Sequence, residues 1–438
     1  MDRERKTASL VLIVLAGFIV AVVAHYIAAQ FVMRGYPYST FLYLADDSNG
    51  GGYPGQPNVL GVHRFGDFYS TWIQSRGPHP YVDTPLGDAS SYFPLTHVLL
   101  FPLAQLPLAL ALALYLVGFL VSFAAMLYRR VGGDRLHRAQ AAIVLTACST
   151  PVLFLVDRGN IEGFVFALLA CSLLAYRRDR FYLAAVLLAI PVAMKGAAGV
   201  FWLLFLFDGR LRALIVSVAT SALLTLAALL ALPGSTDANI EGLRGALDTI
   251  GASTTDGTAA ILHSASLNAA FSVLGRWNEN FNFFVAHYTV VSLAVLLAVA
   301  LVLALLRPVL WQRVALLCGA MILVPAISFQ YRMLHLYLPL LLFLAASEPR
   351  RSDRLFVVLF GLLLVPKGLP ILFDDVNVGS LVNPLLLAVL MIAVVVDAAL
   401  DGRARGRLQA IAAIVRRRRG RVAGRGRAQP AAEINAGR

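Results

Sequence analysis

Nine basic residues of this chain stand apart from its other lysines and arginines and are the first candidates for chemistry. Of the 37 lysines and arginines, 28 lie in seven short patches that are separated by pairs of apolar segments. The other nine are Arg34, Arg64, Arg76, Arg158, Lys195, Arg244, Arg276, Arg332 and Lys367. A charged side chain inside apolar sequence is costly in a membrane, so such residues are expected to pair with a partner or to line a cavity.

Lys195 is the most isolated of these charges, because apolar segments flank it on both sides. A phosphate group would be a natural partner for its ammonium group, and so would a carboxylate such as Glu162. Two other interpretations remain open. Lys195 could form a purely structural ion pair, or its side chain could extend to the membrane surface.

Arg158, Asn160 and Glu162 cluster where a tight turn opens an apolar helix. The N-terminus of a helix, here with Gly159 beside it, can hold an anion through its free backbone N–H groups. The pattern is equally consistent with an ion pair between Arg158 and either Asp157 or Glu162.

Arg332 and His335 lie three positions apart and would share one face of a helix. The guanidinium group of Arg332 could clamp a phosphate. The imidazole of His335 could donate a proton or a hydrogen bond. Anchoring of the helix at the membrane interface by Tyr331 and Arg332 is an equally good interpretation.

Asp67 lies among aromatic residues, with Tyr69 and Trp72 close by in the sequence. Sugar rings stack on tyrosine and tryptophan faces, and a carboxylate can take the proton of an attacking hydroxyl group as a general base. A helix N-cap or a solvated loop acid is the structural alternative for Asp67.

A second polar cluster combines one imidazole, two hydroxyl groups and one amide, in His263, Ser264, Ser266 and Asn268. These groups suit a carbohydrate, and they suit the capping of a short interfacial helix equally well. No pair of histidines has metal-ligand spacing, and the three cysteines fit no metal site, so we expect no metal and no cofactor. The chain also has no phosphate-binding glycine loop, which argues against an enzyme that uses ATP or a nucleotide sugar.

The composition places these residues in a polytopic membrane protein. Of 438 residues, 59% are hydrophobic and only 14% are charged, and the mean hydropathy is +0.75. Because cytoplasmic loops retain lysine and arginine, the seven basic patches predict that both termini are cytoplasmic. They also predict an all-α fold with about twelve transmembrane or re-entrant helices in the plasma membrane. The net charge of +13 then reflects topology and contact with anionic lipids, not nucleic acid.

The predicted organisation is one membrane domain, residues 1–400, followed by a basic and disordered cytoplasmic tail, residues 401–438. Two polar stretches, residues 30–92 and 233–282, are predicted as long outer loops. A loop as long as the first is usually functional, which draws attention to Asp67.

An interrupted hairpin is predicted between two basic patches. Its arms, Phe181–Met194 and Ala197–Phe207, are each too short to cross a bilayer. They can run out and back only if they meet partway, near Lys195-Gly196. Such a non-helical apex must be shielded by protein or open to water.

The order of several motifs resembles that of the family 87 polytopic glycosyltransferases. These enzymes are of the GT-C type and include actinobacterial mannosyltransferases and arabinofuranosyltransferases of the cell envelope. The motifs are Asp67-Phe68-Tyr69, Gly77-Pro78-His79-Pro80-Tyr81, Tyr92-Phe93-Pro94-Leu95, Asn160-Ile161-Glu162-Gly163, Met194-Lys195-Gly196, Ser264-Ala265-Ser266-Leu267-Asn268 and Arg332 with His335. Two positions differ from the family pattern, which commonly has Tyr-Pro-Pro at Phe93-Pro94-Leu95 and Lys-Pro at Lys195-Gly196.

The resemblance implies a GT-C architecture and an inverting transfer of a sugar, mannose or arabinofuranose, from a polyprenyl-phosphate donor. The acceptor would be an envelope glycolipid or polysaccharide on the extracytoplasmic side. Asp67 would be the general base. The donor phosphate would contact Lys195, Arg158, Arg332 and His335. Sugar and acceptor would contact Tyr69, Trp72, Asn160, Glu162, His263, Ser266 and Asn268.

A flippase for lipid-linked sugars, or another polytopic transporter, is the alternative function. Transporters often contain paired repeats with matching broken helices. The interrupted hairpin has no clear counterpart in the other half of this sequence, which favours the enzyme.

Overall fold

The computed structural model describes residues 1–27, 64–77, 79–81, 90, 92–256, 264–346, 350–368 and 378–401. The prediction for His263 therefore lies outside the described residues. The same is true of the tail from residue 402 onward and of most of the stretch 30–92. The described chain is all-α, and its only β-type pairing is one isolated bridge between Ser264 and Phe329.

Eighteen α-helices follow one another along the described chain. They are α1 Arg3–Ile27, α2 Gly66–Arg76, α3 Pro94–Ala104, α4 Leu108–Arg130, α5 Arg135–Ala147, α6 Thr150–Arg158, α7 Glu162–Arg177, α8 Phe181–Lys195, α9 Trp202–Phe207, α10 Leu211–Ala231, α11 Thr236–Asp256, α12 Leu267–Trp277, α13 Asn282–Ala286, α14 Tyr288–Leu306, α15 Leu310–Leu323, α16 Tyr337–Leu344, α17 Asp353–Leu364 and α18 Val378–Leu400. Short 3₁₀ helices occupy Ala197–Phe201, Glu279–Phe281 and Gln330–Leu336.

Five of the described helices are long and apolar enough to cross a membrane, namely α1, α4, α10, α14 and α18. A sixth span results if α5 and α6, which meet at an angle of 54°, are taken together. Large apolar side chains such as Leu12, Leu223 and Val290 are exposed on these helices, as expected where lipid is the solvent. The chain is thus an all-α polytopic membrane protein. The count of about twelve passes stays a prediction, because several apolar helices in the described part are shorter.

The interruption expected near Lys195-Gly196 is present. Helix α8 ends at Lys195, and Gly196 adopts a positive φ of 70°. A 3₁₀ turn over Ala197–Phe201 then leads into α9. The Phe93 N–H and the Thr96 hydroxyl both donate to the Met194 carbonyl, at 3.2 and 3.0 Å, so the start of α3 shields the end of α8. The apex is therefore covered by protein, as the membrane requires.

Contacts between basic turns that are distant in sequence place them at one end of the molecule. Arg3 donates to the Arg130 carbonyl, and Lys6 forms an ion pair of 3.2 Å with Asp353. Arg350 pairs with Asp397 at 2.7 Å. This end is called the basic end below, and it is the predicted cytoplasmic side.

The two polar stretches predicted as outer loops contain helices in the described residues. Helix α2 lies in the first stretch, and α11 and α12 lie in the second. Low apolar content concealed α2, which needs only one buried face because it lies across other helices. Its buried residues include Phe68, Thr71 and Gln74.

Candidate active site

Helix α2 positions Asp67 against the turn between α6 and α7. The Phe65 N–H donates to the Asp157 carbonyl at 2.8 Å, which fixes the start of α2 on this turn. Phe65 is the residue that precedes the helix, and Asp67 is the second residue within it, so Asp67 is not the N-cap. The negative charge of Asp67 nevertheless lies in the first turn, where the helix dipole favours it.

The carboxylate of Asp67 is held by two side chains from that turn. Arg158 makes a bidentate pair, with Nε 2.9 Å from Oδ2 and Nη2 2.9 Å from Oδ1. The Asn160 amide nitrogen donates to Oδ2 at 2.5 Å. Asp67 keeps 16% of its side-chain surface and Arg158 keeps 14%, so both remain within reach of a ligand. Bidentate pairs of this kind fix geometry as well as charge.

The side chain of Asn160 joins this pair to a second group of charges. Its amide nitrogen also donates to the Tyr92 hydroxyl at 3.1 Å. Its carbonyl oxygen accepts from the Glu162 N–H at 2.9 Å and from the Lys195 ammonium at 3.2 Å. One buried amide thus contacts the anion on one side and the cation on the other.

The second group is a buried triad of Lys195, Glu162 and His335. The Lys195 ammonium lies 2.6 Å from Oε2 of Glu162, and Nε2 of His335 lies 2.7 Å from Oε1. The Lys195 ammonium also lies 4.8 Å from the centre of the Tyr92 ring. Of the two partners that the sequence offered for Lys195, a carboxylate or a phosphate, the structure shows the carboxylate.

The site contains both anions and cations. Asp67 pairs with Arg158 and Glu162 pairs with Lys195, and the buried acid Asp157 directly precedes Arg158. Arg332 lies near enough for its charge to act on both Glu162 and Lys195. Its guanidinium group donates to the Ile327 carbonyl at 3.3 Å. An anion that enters here would have to compete with Asp67 and Glu162 for Arg158 and Lys195.

Burial raises the pKa of the Tyr92 phenol well above its ordinary value. The hydroxyl group therefore stays protonated at neutral pH while it accepts from Asn160. Tyr92 therefore contributes a neutral hydroxyl group to the site. The sequence motif had included Tyr92 without assigning it to the site.

The predicted sugar-contacting residues divide between the site and its surroundings. Asn160 and Glu162 lie at its centre. Tyr69 is half-buried on α2, one residue after Phe68. The Trp72 indole donates to the Leu106 carbonyl at 3.3 Å, which directs it toward the α3–α4 connection. A sugar-stacking role for Trp72 beside Asp67 therefore gains no support from its position.

Ser266 has a structural task. Its hydroxyl caps α12 by accepting from the Ala269 N–H at 3.2 Å, and it donates to the Ala326 carbonyl at 2.9 Å. Ser266 is fully buried. Asn268 is also buried, at 6% exposure. The capping interpretation thus holds for Ser266.

The segment that Ser266 contacts, at Ala326, continues to a residue that packs on Arg158. It leads to Phe329, whose ring centre lies 5.0 Å from the Arg158 guanidinium carbon. Stacking on an aromatic face restrains an arginine without neutralising its charge. Sequence reasoning missed Phe329, because nothing in the local pattern links it to Arg158, 171 positions earlier.

Comparison with known proteins adds the family. The model of glycosyltransferase family 87 matches residues 91–328, which is more than half of the chain. The chain belongs to glycosyltransferase family 87. Among curated proteins and among solved structures, no match was found.

The matched segment of this family 87 glycosyltransferase contains Arg158, Asn160, Glu162 and Lys195. Asp67 precedes it, and Arg332 and His335 follow it. Within the described residues, no group of three or more His, Cys, Asp or Glu side chains could hold a metal ion. The site is thus assembled from the matched region and from two segments outside it.

Gly159 lets α2 approach the α6–α7 turn, and this predicts the effect of a methyl group. Gly159 has a φ of +63°, and a Cβ there would lie 2.7 Å from the Cβ of Phe68. Gly209 has a φ of +68° with nothing within 4 Å, so it is a matched control. We expect Gly159→Ala and Gly209→Ala both to lose about 1 kcal/mol from left-handed strain.

Only Gly159→Ala should also displace α2 and Asp67. Because a displacement near 1 Å can lower a rate by roughly 10²-fold, sugar transfer should fall strongly in that variant alone. Unfolding midpoints and transfer rates of both variants check this. Equal transfer by the two would show that the close approach of Phe68 does not position Asp67.

His97 on α3 joins Ser75 of α2 to Ser90, which lies shortly before α3. Its Nδ1 lies 3.0 Å from the Ser75 hydroxyl, and its Nε2 lies 2.8 Å from the Ser90 hydroxyl. All three side chains are buried. His97→Phe should leave two buried hydroxyl groups without this partner and destabilise the protein by about 2–4 kcal/mol.

The measurement is the thermal unfolding midpoint in detergent. The control is His137→Phe. His137 is exposed, and the one hydrogen-bond partner of its side chain in the described part of the chain is the exposed Asp134. A midpoint for His97→Phe equal to that of the control would contradict a structural role of His97.

Proposed function

We propose that this family 87 glycosyltransferase moves a sugar from a polyprenyl-phosphate donor to an envelope glycolipid or polysaccharide. Mannose and arabinofuranose are the favoured sugars, and the extracytoplasmic side is the proposed location. One observation carries the proposal: the Asp67 carboxylate and the cations Arg158 and Lys195 belong to one hydrogen-bonded cluster. A base for the acceptor and cations for a leaving phosphate are what this reaction needs.

An apolar groove beside the cluster supports a lipid-linked donor. It has a volume of about 590 Å³ and lies between α4 and α7. Tyr115 and Gly163 line its end near the cluster. There the Tyr115 hydroxyl donates to the backbone carbonyl of Asn160. Arg130 and Arg177 line its other end. Tyr115 and Arg130 are about 22 Å apart along α4, at 1.5 Å per residue. A polyprenyl chain could follow this length of apolar surface.

In the proposed reaction, the donor phosphate first competes with Asp67 for Arg158. The bidentate pair stabilises the ionised carboxylate, so Asp67 becomes a stronger base once Arg158 has moved. A move of Arg158 from the carboxylate to the phosphate would free Asp67 to act as the base and would bind the leaving group. The planar guanidinium group matches the geometry of a phosphate.

The transfer step is then a single displacement. The acceptor hydroxyl oxygen attacks the anomeric carbon from the face opposite the phosphate, and its proton goes to Asp67. The bond between the anomeric carbon and the phosphate oxygen breaks, and its electron pair leaves with the polyprenyl phosphate. Lys195, which is held by Glu162, and Arg332, which is held by the Ile327 carbonyl, would stabilise that developing charge. The anomeric configuration is inverted.

The direct test uses purified protein in lipid vesicles with polyprenyl-phosphate mannose, polyprenyl-phosphate arabinofuranose and a panel of acceptors. We expect transfer from a lipid-linked donor and a product of inverted anomeric configuration, read by NMR. Transfer from a nucleotide sugar without a lipid donor, or a product that retains the configuration, would overturn the mechanism.

One observation favours the flippase alternative. The groove that begins at the cluster ends at two arginines of the basic end, so it offers an apolar path with cations at both ends. A flippase would move a labelled polyprenyl-phosphate sugar between leaflets of a vesicle without forming a glycosidic bond. The same preparations, assayed for leaflet exchange and for product, separate the two functions.

A further inference from the structure

Three turns surround a second cavity, which lies outside the candidate active site. They are the α7–α8 turn, residues 178–180, the α9–α10 turn, residues 208–210, and the α14–α15 turn, residues 307–309. The cavity has a volume of about 790 Å³. Its charged lining consists of Arg177, Arg210, Arg307, Arg313, Asp179 and Asp208.

The contacts of Asp208 leave most of the positive charge of this cavity uncompensated. Arg313 places one guanidinium nitrogen 2.6 and 2.7 Å from the two Asp208 oxygens, and the Tyr176 hydroxyl also donates to Asp208. This acid is therefore already neutralised. Arg177, Arg210 and Arg307 form no ion pair with any described residue. Four arginines against two aspartates give a net positive cavity, which predicts an anionic ligand.

Arg177, Arg210 and Arg307 are exposed, and a ring contact restrains one of them. Arg210 lies over the Phe181 ring, 4.1 Å from its centre. Arg307 is a non-glycine residue with a φ of +46°, at the end of α14, and Pro308 follows it. The Phe181 ring thus restrains Arg210, and Arg307 lines the cavity from the turn at the end of α14.

Part of the cavity lining is apolar, and this favours one class of anion. Leu206, Phe207, Ala304 and Leu310 belong to the lining. Leu206 is exposed on α9, and Leu305 is exposed on the neighbouring α14. A ligand that satisfies both parts carries a phosphate on apolar chains. Basic pockets between membrane helices on the cytoplasmic side are known to hold such headgroups.

We propose that this cavity binds an anionic phospholipid of the adjacent leaflet, with its phosphate between Arg210 and Arg307 and its acyl chains along α9 and α14. The site is distinct from the candidate active site. Glu162 begins α7 and Arg177 ends it, which separates the two by about 22 Å along the helix axis. Arg177 also lines the far end of the groove proposed for the donor, whereas Arg210 and Arg307 line this cavity and not that groove.

The test measures lipid binding to the full-length protein in a neutral detergent by native mass spectrometry. The probes are phosphatidylglycerol, phosphatidylcholine and glycerol phosphate, which has the phosphate without the chains. The variant is Arg210→Gln with Arg307→Gln. The control is Arg178→Gln with Arg212→Gln, which removes the same charge from exposed arginines beside the cavity but outside its lining.

We expect phosphatidylglycerol to bind the native protein and the control equally, and the cavity variant roughly 30-fold more weakly. Arg210→Lys with Arg307→Lys, which keeps the charge, should recover most of the binding and so separates charge loss from misfolding. Three results would each overturn the proposal: an equal loss in the control, equal binding of phosphatidylcholine, or binding of glycerol phosphate as tight as that of the lipid.

Discussion

Asp67→Asn should lower the rate of sugar transfer by roughly 10²- to 10⁴-fold, the range expected when a general base is removed. Asparagine has nearly the same shape as aspartate, and its oxygen can still accept from Arg158. It cannot take the proton of the acceptor hydroxyl. Donor binding should persist, because the cations that would hold the phosphate remain. The measurement is single-turnover transfer together with the donor dissociation constant.

A matched control for this substitution is Asp237→Asn. Asp237 lies in the first turn of α11, as Asp67 lies in the first turn of α2, and it is exposed. Its loss should leave transfer within about twofold, because surface charges away from a site contribute little. If Asp67→Asn transfers at the native rate, Asp67 is not the base. If it loses donor binding instead, its task is to position Arg158.

Glu162→Gln should destabilise the protein by about 3–5 kcal/mol, the usual effect of removing one partner from a buried ion pair. The side chain of Glu162 is 4% exposed and that of Lys195 is 8% exposed, so water cannot replace the missing charge. With glutamine at position 162, the hydrogen-bond partners of the Lys195 ammonium group in the described part of the chain would all be neutral. Unfolding in mixed detergent micelles gives the free-energy difference.

The double variant Glu162→Gln, Lys195→Met tests whether the ion pair is the cause. Removing both charges should cost less than the sum of the single changes, with a coupling energy of about 2 kcal/mol. Glu241→Gln, an exposed glutamate on α11, is the control and should change stability by less than about 0.5 kcal/mol. Strictly additive effects of the two single substitutions would contradict the buried pair.

Sequence reasoning reached the charged residues of the site and the pairing of Lys195 with Glu162, but not the pairing of Asp67 with Arg158. Lys195 was identifiable because a lysine within apolar sequence must have a partner, and Glu162 was among the partners considered. The pairing of Asp67 with Arg158 was not predictable, because the two residues are 91 positions apart and meet only through the docking of α2. Composition gives no information about which polar stretch packs on which turn.

The fold was predictable where a membrane imposes strong constraints. The break at Gly196 followed from two arms that are too short and from basic residues on both flanks. The helices in the polar stretches were missed, because hydropathy does not detect a helix such as α2 that buries only one face. Ser266 was ambiguous in sequence, since a hydroxyl that caps a helix and one that binds a sugar have the same local pattern.

The amide of Asn160 has a consequence for communication within the site. It has a donor end and an acceptor end, and only one orientation lets the nitrogen serve Asp67 while the oxygen serves Lys195. Withdrawal of the ammonium from that oxygen removes one of the contacts that prevent the amide from rotating, and rotation would replace a donor by an acceptor beside the Asp67 carboxylate. The two ion pairs are therefore thermodynamically linked through a side chain that never changes its protonation.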